Sequence, residues 1–411
     1  MKKYLLLSCV FSIVMMQLSA QKAVQKRKGL CSFQSAEFMD KKYGKLDTVP
    51  GRGIANNYYL WDIGQTVKVK FLPGGSKKLR NDVMTYAKMW EPYANIKFLF
   101  VADNAPDAPI RVKLTDNDGA WSVLGTVANT VAETQQTLNL DTVSFLTQAG
   151  EAYWKATIMH EFGHALGLMH EQGYPGAIKW NKQSMYDYYK RTNDWDSAMV
   201  NAQVFEVHDQ FYTNGSSYDP LSIMHYSVQG WQTIDGKAIK ENYVLSAGDK
   251  AIIGLLYPKT GTRIREVPRV SITNAKANFV VTSDAVRDKV LIYPSFDLKT
   301  SNSVGEVWVI IMFYDEQGQA IPDTDDKYNF SDHVATYAKL NLQPNAKMSY
   351  NKTALTKNLE LSIPIEQIPG YEGKKVLVQT MTYLYDPVND KSVGLYFSDP
   401  KEYQMPMRKK K

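Results

Sequence analysis

Apolar and polar positions along the chain change period several times, and each change marks a structural element. Val67, Val69 and Phe71 alternate with polar residues, as a half-buried strand does. Leu79, Val83, Tyr86, Ala87 and Trp90 then recur at helical spacing, with Ser76 placed as N-cap and Pro92 as a stop. Ile96 to Val101 and Ile110 to Leu114 read as two further strands. A strand, helix, strand, strand order predicts a mixed α/β layer rather than an all-β barrel. The apolar pattern breaks between Pro258 and Pro268, at Lys259-Thr260-Gly261-Thr262. Beyond the break the chain reads almost entirely as strand: Phe279 to Thr282, Val290 to Tyr293, Val307 to Tyr314, Leu359 to Ile363, Val376 to Tyr385 and Gly394 to Phe397. Turns such as Asp315-Glu316-Gln317-Gly318 separate these runs, which predicts a small β-sandwich. No internal repeat or extended low-complexity tract interrupts the pattern.

The N-terminal stretch has a different character. Lys2 and Lys3 precede an apolar run from Tyr4 to Met16, shorter than the ~20 residues of a spanning helix. Leu18-Ser19-Ala20 offers a small residue for cleavage, so residues 1–20 read as a secretory signal peptide, and the expected location is secreted, periplasmic or cell-surface. Residues 21–57 are polar, lysine-rich and aperiodic, and include the turn Val49-Pro50-Gly51-Arg52-Gly53. The expected organisation is therefore a signal peptide (1–20), a pro-segment (21–52), a mixed α/β domain (53–260) and a β-sandwich domain (268–411).

Composition adds two constraints. The net charge of +6 owes much to the short runs Lys26-Arg27-Lys28 and Arg408 to Lys411, so it points to no nucleic-acid partner. Cys9 would leave with the signal, and Cys31, left alone, cannot form an internal disulfide.

The chemistry is concentrated in His160-Glu161-Phe162-Gly163-His164-Ala165-Leu166-Gly167-Leu168-Met169-His170. On a helix, residues four apart lie one turn above each other, so His160 and His164 can direct their imidazoles at one ion. Glu161 lies beside the first of them, where a carboxylate can deprotonate an attacking water. Ala156, Ile158, Met159, Phe162, Ala165 and Leu166 give the helix an apolar surface that buries it and makes it rigid. Gly167 can take the positive φ that ends a helix, which lets His170 return as a third ligand. Three protein ligands leave one position open, the arrangement of a catalytic zinc site. Three imidazoles also suit copper or nickel, and the adjacent glutamate favours zinc. Ordinary core histidines are the competing reading, but three of the six histidines fall within these eleven residues.

At these residues the chain resembles the metzincin metallopeptidases, whose extended motif is followed by a methionine-containing turn. That turn is present as Ser222-Ile223-Met224-His225-Tyr226. Glu171 directly after the third histidine and a tyrosine two residues after Met224 make the chain similar to the astacin branch. The fold so implied is an α/β (α+β) metzincin-like zinc protease domain with a mixed sheet and an active-site helix, followed by an all-β sandwich domain. The resemblance also implies that Met224 floors the zinc site, and that Tyr226 is a displaceable fifth ligand that stabilises the oxyanion. Gly119-Ala120-Trp121-Ser122 looks like the edge strand on which an extended substrate would pair, with Trp121 and Ser122 as substrate-binding residues; a tryptophan in an ordinary hairpin is the alternative. Leu245 to Asp249 and Ile252 to Tyr257 resemble the closing helix of the domain. Gln172-Gly173-Tyr174-Pro175-Gly176 departs from the usual astacin continuation, and the family's paired cysteines are missing.

The expected function is hydrolysis of peptide bonds in extended polypeptides by a zinc-dependent endopeptidase made as a precursor. A zinc-bearing adhesion protein with vestigial hydrolysis is the alternative. Cleavage is expected near Arg52-Gly53, with Glu171, by the resemblance, receiving the new ammonium. Cys31 can latch the precursor by giving its thiolate to the zinc. By the resemblance, an aspartate of the pro-segment, Asp40 or Asp47, competes for that role.

Overall fold

A computed structural model describes residues 55–407, except 117–118, 143–149, 206–217, 264–269, 274–278, 301–304, 351–358 and 387–390. The signal, the pro-segment, Cys31, Asp40, Asp47 and Arg52-Gly53 lie outside the described residues. The described chain divides into two compact units, one of residues 55–128 with 135–263, the other of residues 129–134 with 270–407.

The first unit is built on five strands: β1 (Thr66–Phe71), β2 (Lys97–Phe100), β3 (Ile110–Thr115), β4 (Trp121–Ser122) and β5 (Leu138–Asp141). Their order is β2-β1-β3-β5-β4. β1 pairs parallel with β2 and β3, β3 parallel with β5, and β4 antiparallel with β5, so the sheet is mixed. Strand β1 alternates as its sequence predicts, with Val67 and Val69 buried and Thr66 and Lys68 exposed. Helix α1 (Lys77–Ala87) starts where Ser76 accepts a hydrogen bond from Leu79 N at 3.3 Å, which caps one of its orphan amides. A 3-10 turn over Lys88–Trp90 then carries the helical periodicity on towards Pro92.

Helix α2 (Gly150–Ala165) is buried along most of its length, from Trp154 to Ala165. Phe162 meets the edge of Phe98 on β2 with ring centroids 5.0 Å apart, locking helix to sheet. Among the described residues two longer helices follow in this unit, α3 (Lys182–Asn193) and α4 (Ala247–Leu256), with a single helical turn over Ser197–Val200 between them. Helix α4 opens with a reciprocal capping box between Ser246 and Asp249. Among the described residues no helix is long and apolar enough to cross a membrane.

The second unit contains strands β6 (Val270–Thr273), β7 (Val280–Asp284), β8 (Lys289–Tyr293), β9 (Phe296–Thr300), β10 (Glu306–Tyr314), β11 (Asn329–Phe330), β12 (His333–Asn341), β13 (Lys347–Tyr350), β14 (Leu361–Pro364), β15 (Lys375–Asp386), β16 (Lys391–Phe397) and β17 (Lys401–Gln404). They form a six-stranded sheet, β11-β12-β10-β15-β16 with β17 also on β15, and two three-stranded sheets, β13-β9-β6 and β14-β8-β7. All of these pairings are antiparallel. Six strands escape the sequence pattern, namely β6, β9, β11, β12, β13 and β17. In β12 the reason is visible, because its second half mixes alanine and lysine and is only half buried. Its strand state follows from pairing with seven consecutive residues of β10.

Candidate active site

Helix α2 ends in a closed cap. Gly167 takes φ +93°, and Leu168 N reaches back to Gly163 O at 3.0 Å. The last carbonyls of the helix and its turn, which have no partner within the helix, are satisfied from elsewhere. Trp61 Nε1 donates to Ala165 O at 2.7 Å, Tyr257 Oη to Leu166 O at 2.7 Å and Asn56 N to Gly167 O at 3.1 Å. A Cβ on Gly167 would stand 2.6 Å from Leu60 Cδ2, so packing as well as φ requires glycine there.

The three histidines converge. His160 Nδ1 donates to Ile223 O at 2.7 Å and His164 Nδ1 to Leu168 O at 2.8 Å. A carbonyl accepts only from an N–H, so each of these rings carries its proton on Nδ1 and turns an unprotonated Nε2 inward. His164 Nε2 lies 3.1 Å from His160 Nε2 and 3.1 Å from His170 Nε2. The lone pairs of His160 and His164 cannot hydrogen-bond to each other, so the cluster calls for a cation, and three imidazoles with an open side fit zinc. Burial pushes the His160 imidazole down to about 4, which keeps it a neutral donor at neutral pH. The three form the metal-capable cluster found among the described residues, with their ligand atoms all within 4.8 Å of one another.

Met224 is buried beside this cluster, and a Cβ on Gly163 would approach its sulfur to 2.4 Å. A side chain at Gly163 would therefore displace the Met224 thioether, although the sequence motif leaves that position unrestricted. The turn is clamped by a buried carboxylate of α4: Asp249 Oδ2 accepts from Ile223 N at 2.8 Å and Oδ1 from Ser222 Oγ at 2.6 Å. Ser222 Oγ in turn accepts from Met224 N at 3.0 Å. An unbroken hydrogen-bond chain therefore runs from Asp249 through Ser222 and the Ile223–Met224 peptide to the ring of His160. Burial raises the Asp249 carboxyl, against the pull of the amides and hydroxyls it accepts from.

Glu171 is buried, and its Oε1 accepts from Asp219 N at 2.7 Å. Burial, with Asp249 and Asp219 nearby, holds its carboxyl well above the usual range. Glu171 N donates to Met224 O at 3.1 Å, which ties the residue after the third histidine to the methionine turn. The Tyr226 ring packs 4.3 Å from that of His170 and 6.0 Å from that of His160. Glu161 is fully buried and lines a cleft of about 170 Å³ together with His160, His225 and Tyr226. Gly119 and Ala120 line the same cleft. Trp121 and Ser122 form the short edge strand just beyond, where Ser122 is buried with its hydroxyl donated to Val123 O at 2.9 Å.

Sequence reasoning missed Gly163, Asp219, Ser222 and Asp249 as parts of the site. Only Asp249 carried a readable signal, as the fourth residue of the capping box that opens α4.

A family model described as Astacin, a peptidase family, matches residues 53–246, a span that takes in every histidine of the cluster, Glu161 and the methionine turn. The zinc metalloproteinase nas-38 of Caenorhabditis elegans is 25% identical over 179 residues, covering 42% of this chain and 21% of that protein. The astacin-like metalloendopeptidase of Gallus gallus is 29% identical over 121 residues, covering 29% of this chain and 24% of that one. The chain thus spans about a fifth to a quarter of the length of these curated relatives. Against the solved structure of myroilysin it is 36% identical, covering 51% of this chain and 100% of that one, with a TM-score of 0.48. With the histidine cluster, the methionine turn and the mixed sheet in one compact unit, and with these matches laid over it, the chain belongs to the astacin family of peptidases.

Proposed function

We propose that this chain is a zinc-dependent endopeptidase that hydrolyses peptide bonds of extended polypeptides. The observation that carries the reading is the convergence of three buried Nε2 atoms beside Glu161, at the bottom of an open cleft. His160, His164 and His170 would hold the ion, with Tyr226 as a displaceable fifth ligand. Bound there, zinc supplies Lewis-acid polarisation of the scissile carbonyl. Glu161 takes the proton from the attacking water and passes it to the leaving amine. Its lack of solvent exposure keeps that proton from being lost to bulk water. Tyr226 donates to the oxyanion, a contact of the kind worth about 2.7 to 4 kcal/mol where single donors have been removed. Strand β4 lies at the edge of the sheet beside the cleft, where its Trp121–Ser122 backbone would pair with the extended substrate.

Export through the signal peptide (1–20) and synthesis with a pro-segment (21–52) belong to the same reading, as does a division into a catalytic domain (53–260) and a C-terminal β-sandwich (268–411). The start of the family match at residue 53 supports a cut near Arg52-Gly53. Ala55 is fully buried and bridges Leu168 in the turn between the second and third histidines, which supports a mature chain that begins packed against the site. Glu171 would receive the new ammonium, and Cys31, or in its place Asp40 or Asp47, would occupy the metal before cleavage.

The deciding assay is cleavage of an unfolded protein by the processed enzyme, with and without chelator. Chelator-sensitive cleavage is expected. A zinc-loaded, folded protein that cleaves nothing overturns the reading in favour of a zinc-bearing binding protein. Cys31→Ser should release activity in the uncut precursor. If it stays silent while Asp40→Ala or Asp47→Ala does so, the aspartate is the latch.

A further inference from the structure

The cleft has two walls of different origin. One is the face of α2 that leads up to His160, presenting Ala156 and Tyr153 one and two turns before it. The other comes from the segment after the third histidine, where the chain departs from its family pattern: Trp180, Met185, Tyr189 and Val204 line the cleft there. These four belong to an apolar cluster with its own packing. Tyr189 stacks on Trp195 at 5.2 Å between centroids, Trp180 packs on Phe205 at 5.5 Å, and Met185 and Val204 are buried. The wall is also anchored through its backbone, since Asn181 N donates to Gln232 O at 2.8 Å and Ile234 N to Lys179 O at 2.8 Å. It is therefore a preformed surface rather than one assembled on binding.

Its chemistry is one-sided. Among the described residues that line the cleft there is no lysine or arginine. Its carboxylates include Asp141, which accepts from Gly119 N at 3.2 Å, and Glu241, which accepts from Tyr243 Oη at 2.9 Å. An acidic side chain entering the cleft would meet like charge and no basic side chain. A basic one would find no carboxylate on the wall made by Trp180, Met185, Tyr189 and Val204, and desolvating a charge against that wall is costly. A large apolar side chain loses nothing on entry and replaces water on that wall.

We propose that Trp180, Met185, Tyr189 and Val204, with Ala156 opposite, form the specificity pocket of this enzyme, and that it accepts a large apolar side chain, aliphatic or aromatic, next to the scissile bond. The proposal rests on the endopeptidase reading and names its substrate class. One quenched-fluorescence peptide scaffold tests it, carrying in turn Leu, Phe, Ala, Asp or Lys at each position flanking the scissile bond. Processed, zinc-loaded full-length enzyme should show a kcat/KM about tenfold or more higher for Leu or Phe than for Ala at one of the two positions, and the lowest values for Asp and Lys there. Val204→Trp and Ala156→Leu each narrow the pocket from one wall. In whichever variant keeps its zinc content and circular dichroism, the Leu-to-Ala ratio should collapse to within about threefold while the Ala peptide is still cut. Wild-type preference for Asp or Lys, equal rates on all peptides, or an unchanged ratio in a folded variant overturns the pocket while leaving the endopeptidase standing. Absence of any chelator-sensitive cleavage overturns the endopeptidase itself and the pocket with it.

Discussion

The two units use burial in opposite ways. In the strand-rich unit the core is apolar and repetitive: Val307, Val309 and Ile311 on β10 are fully buried against the neighbouring strands β12 and β15. Its ion pair between Lys375 and Glu402, at 3.0 Å, lies at the surface with both side chains more than half exposed. The astacin unit also buries a polar region, with Glu161, His164, Glu171, Asp219, Ser222 and Asp249 all close to inaccessible. Burying polar groups costs free energy unless each finds a partner, so a unit that buries this many around one point is organised for chemistry as well as stability.

The contrast can be broken most sharply at Glu161. Glu161→Gln should retain zinc and fold normally yet lose nearly all hydrolysis, a fall in kcat of several orders of magnitude, because an amide cannot serve as base. Metal content by atomic absorption beside a peptide assay checks it, and near-wild-type activity would refute the mechanism. His164→Ala should instead lower both metal content and thermal stability, since metal binding is coupled to folding.

A smaller effect is expected at Asp249. Asp249→Asn weakens the chain that ends on the His160 ring while leaving every ligand in place, so zinc affinity in a competition with a chelator should fall about 10- to 100-fold. An unchanged affinity would show that the clamp only packs the turn.

His225 tests the polar unit through pH. Burial holds its imidazole at about 4, against an ordinary value of 6.5, and its Nε2 lies 2.7 Å from Tyr218 Oη. Between pH 6.5 and 4 the unfolded chain binds a proton that the folded chain refuses, so this residue's contribution to stability is intact above pH 6.5 and erodes as pH falls. The stability difference between wild type and His225→Gln, read from urea midpoints of zinc-free protein, should shrink by about 2 kcal/mol from pH 7 to pH 5. A pH-independent difference would contradict it. At the other extreme, Lys375→Ala on the strand-rich unit should leave the urea midpoint essentially unchanged, because an exposed ion pair gains little in water. A larger loss there would mean that the surface of this unit matters more than its core suggests.

How much of this was legible beforehand depended on range. The histidine cluster with Glu161 beside it and the start of α1 at Ser76 are local patterns, readable because helix periodicity and capping act over a few residues. Tyr226 and Met224 became legible only through family resemblance, since a tyrosine or methionine in an apolar stretch reads equally well as core. Gly163 and Ser222 were not legible, because their roles exist only once the turn at 222–226 lies against α2. The same holds for β12, whose alanines and lysines became strand by pairing with β10.

The cap on α2 carries a consequence for the order of events during synthesis. Its carbonyls are closed by Trp61, 104 residues before its acceptor Ala165, and by Tyr257, 91 residues after its acceptor Leu166. Trp61 N and Tyr257 Oη also meet each other, 196 residues apart in the chain. Contacts of such separation pay their loop-closure entropy late, after local helices have formed. A nascent chain that has emerged only as far as its histidines has no Tyr257 to close the helix and no Asp249 to seat the methionine turn. We expect the hydrolytic centre to come into being only when the last helix of the unit docks, so that a half-made peptidase is a harmless one.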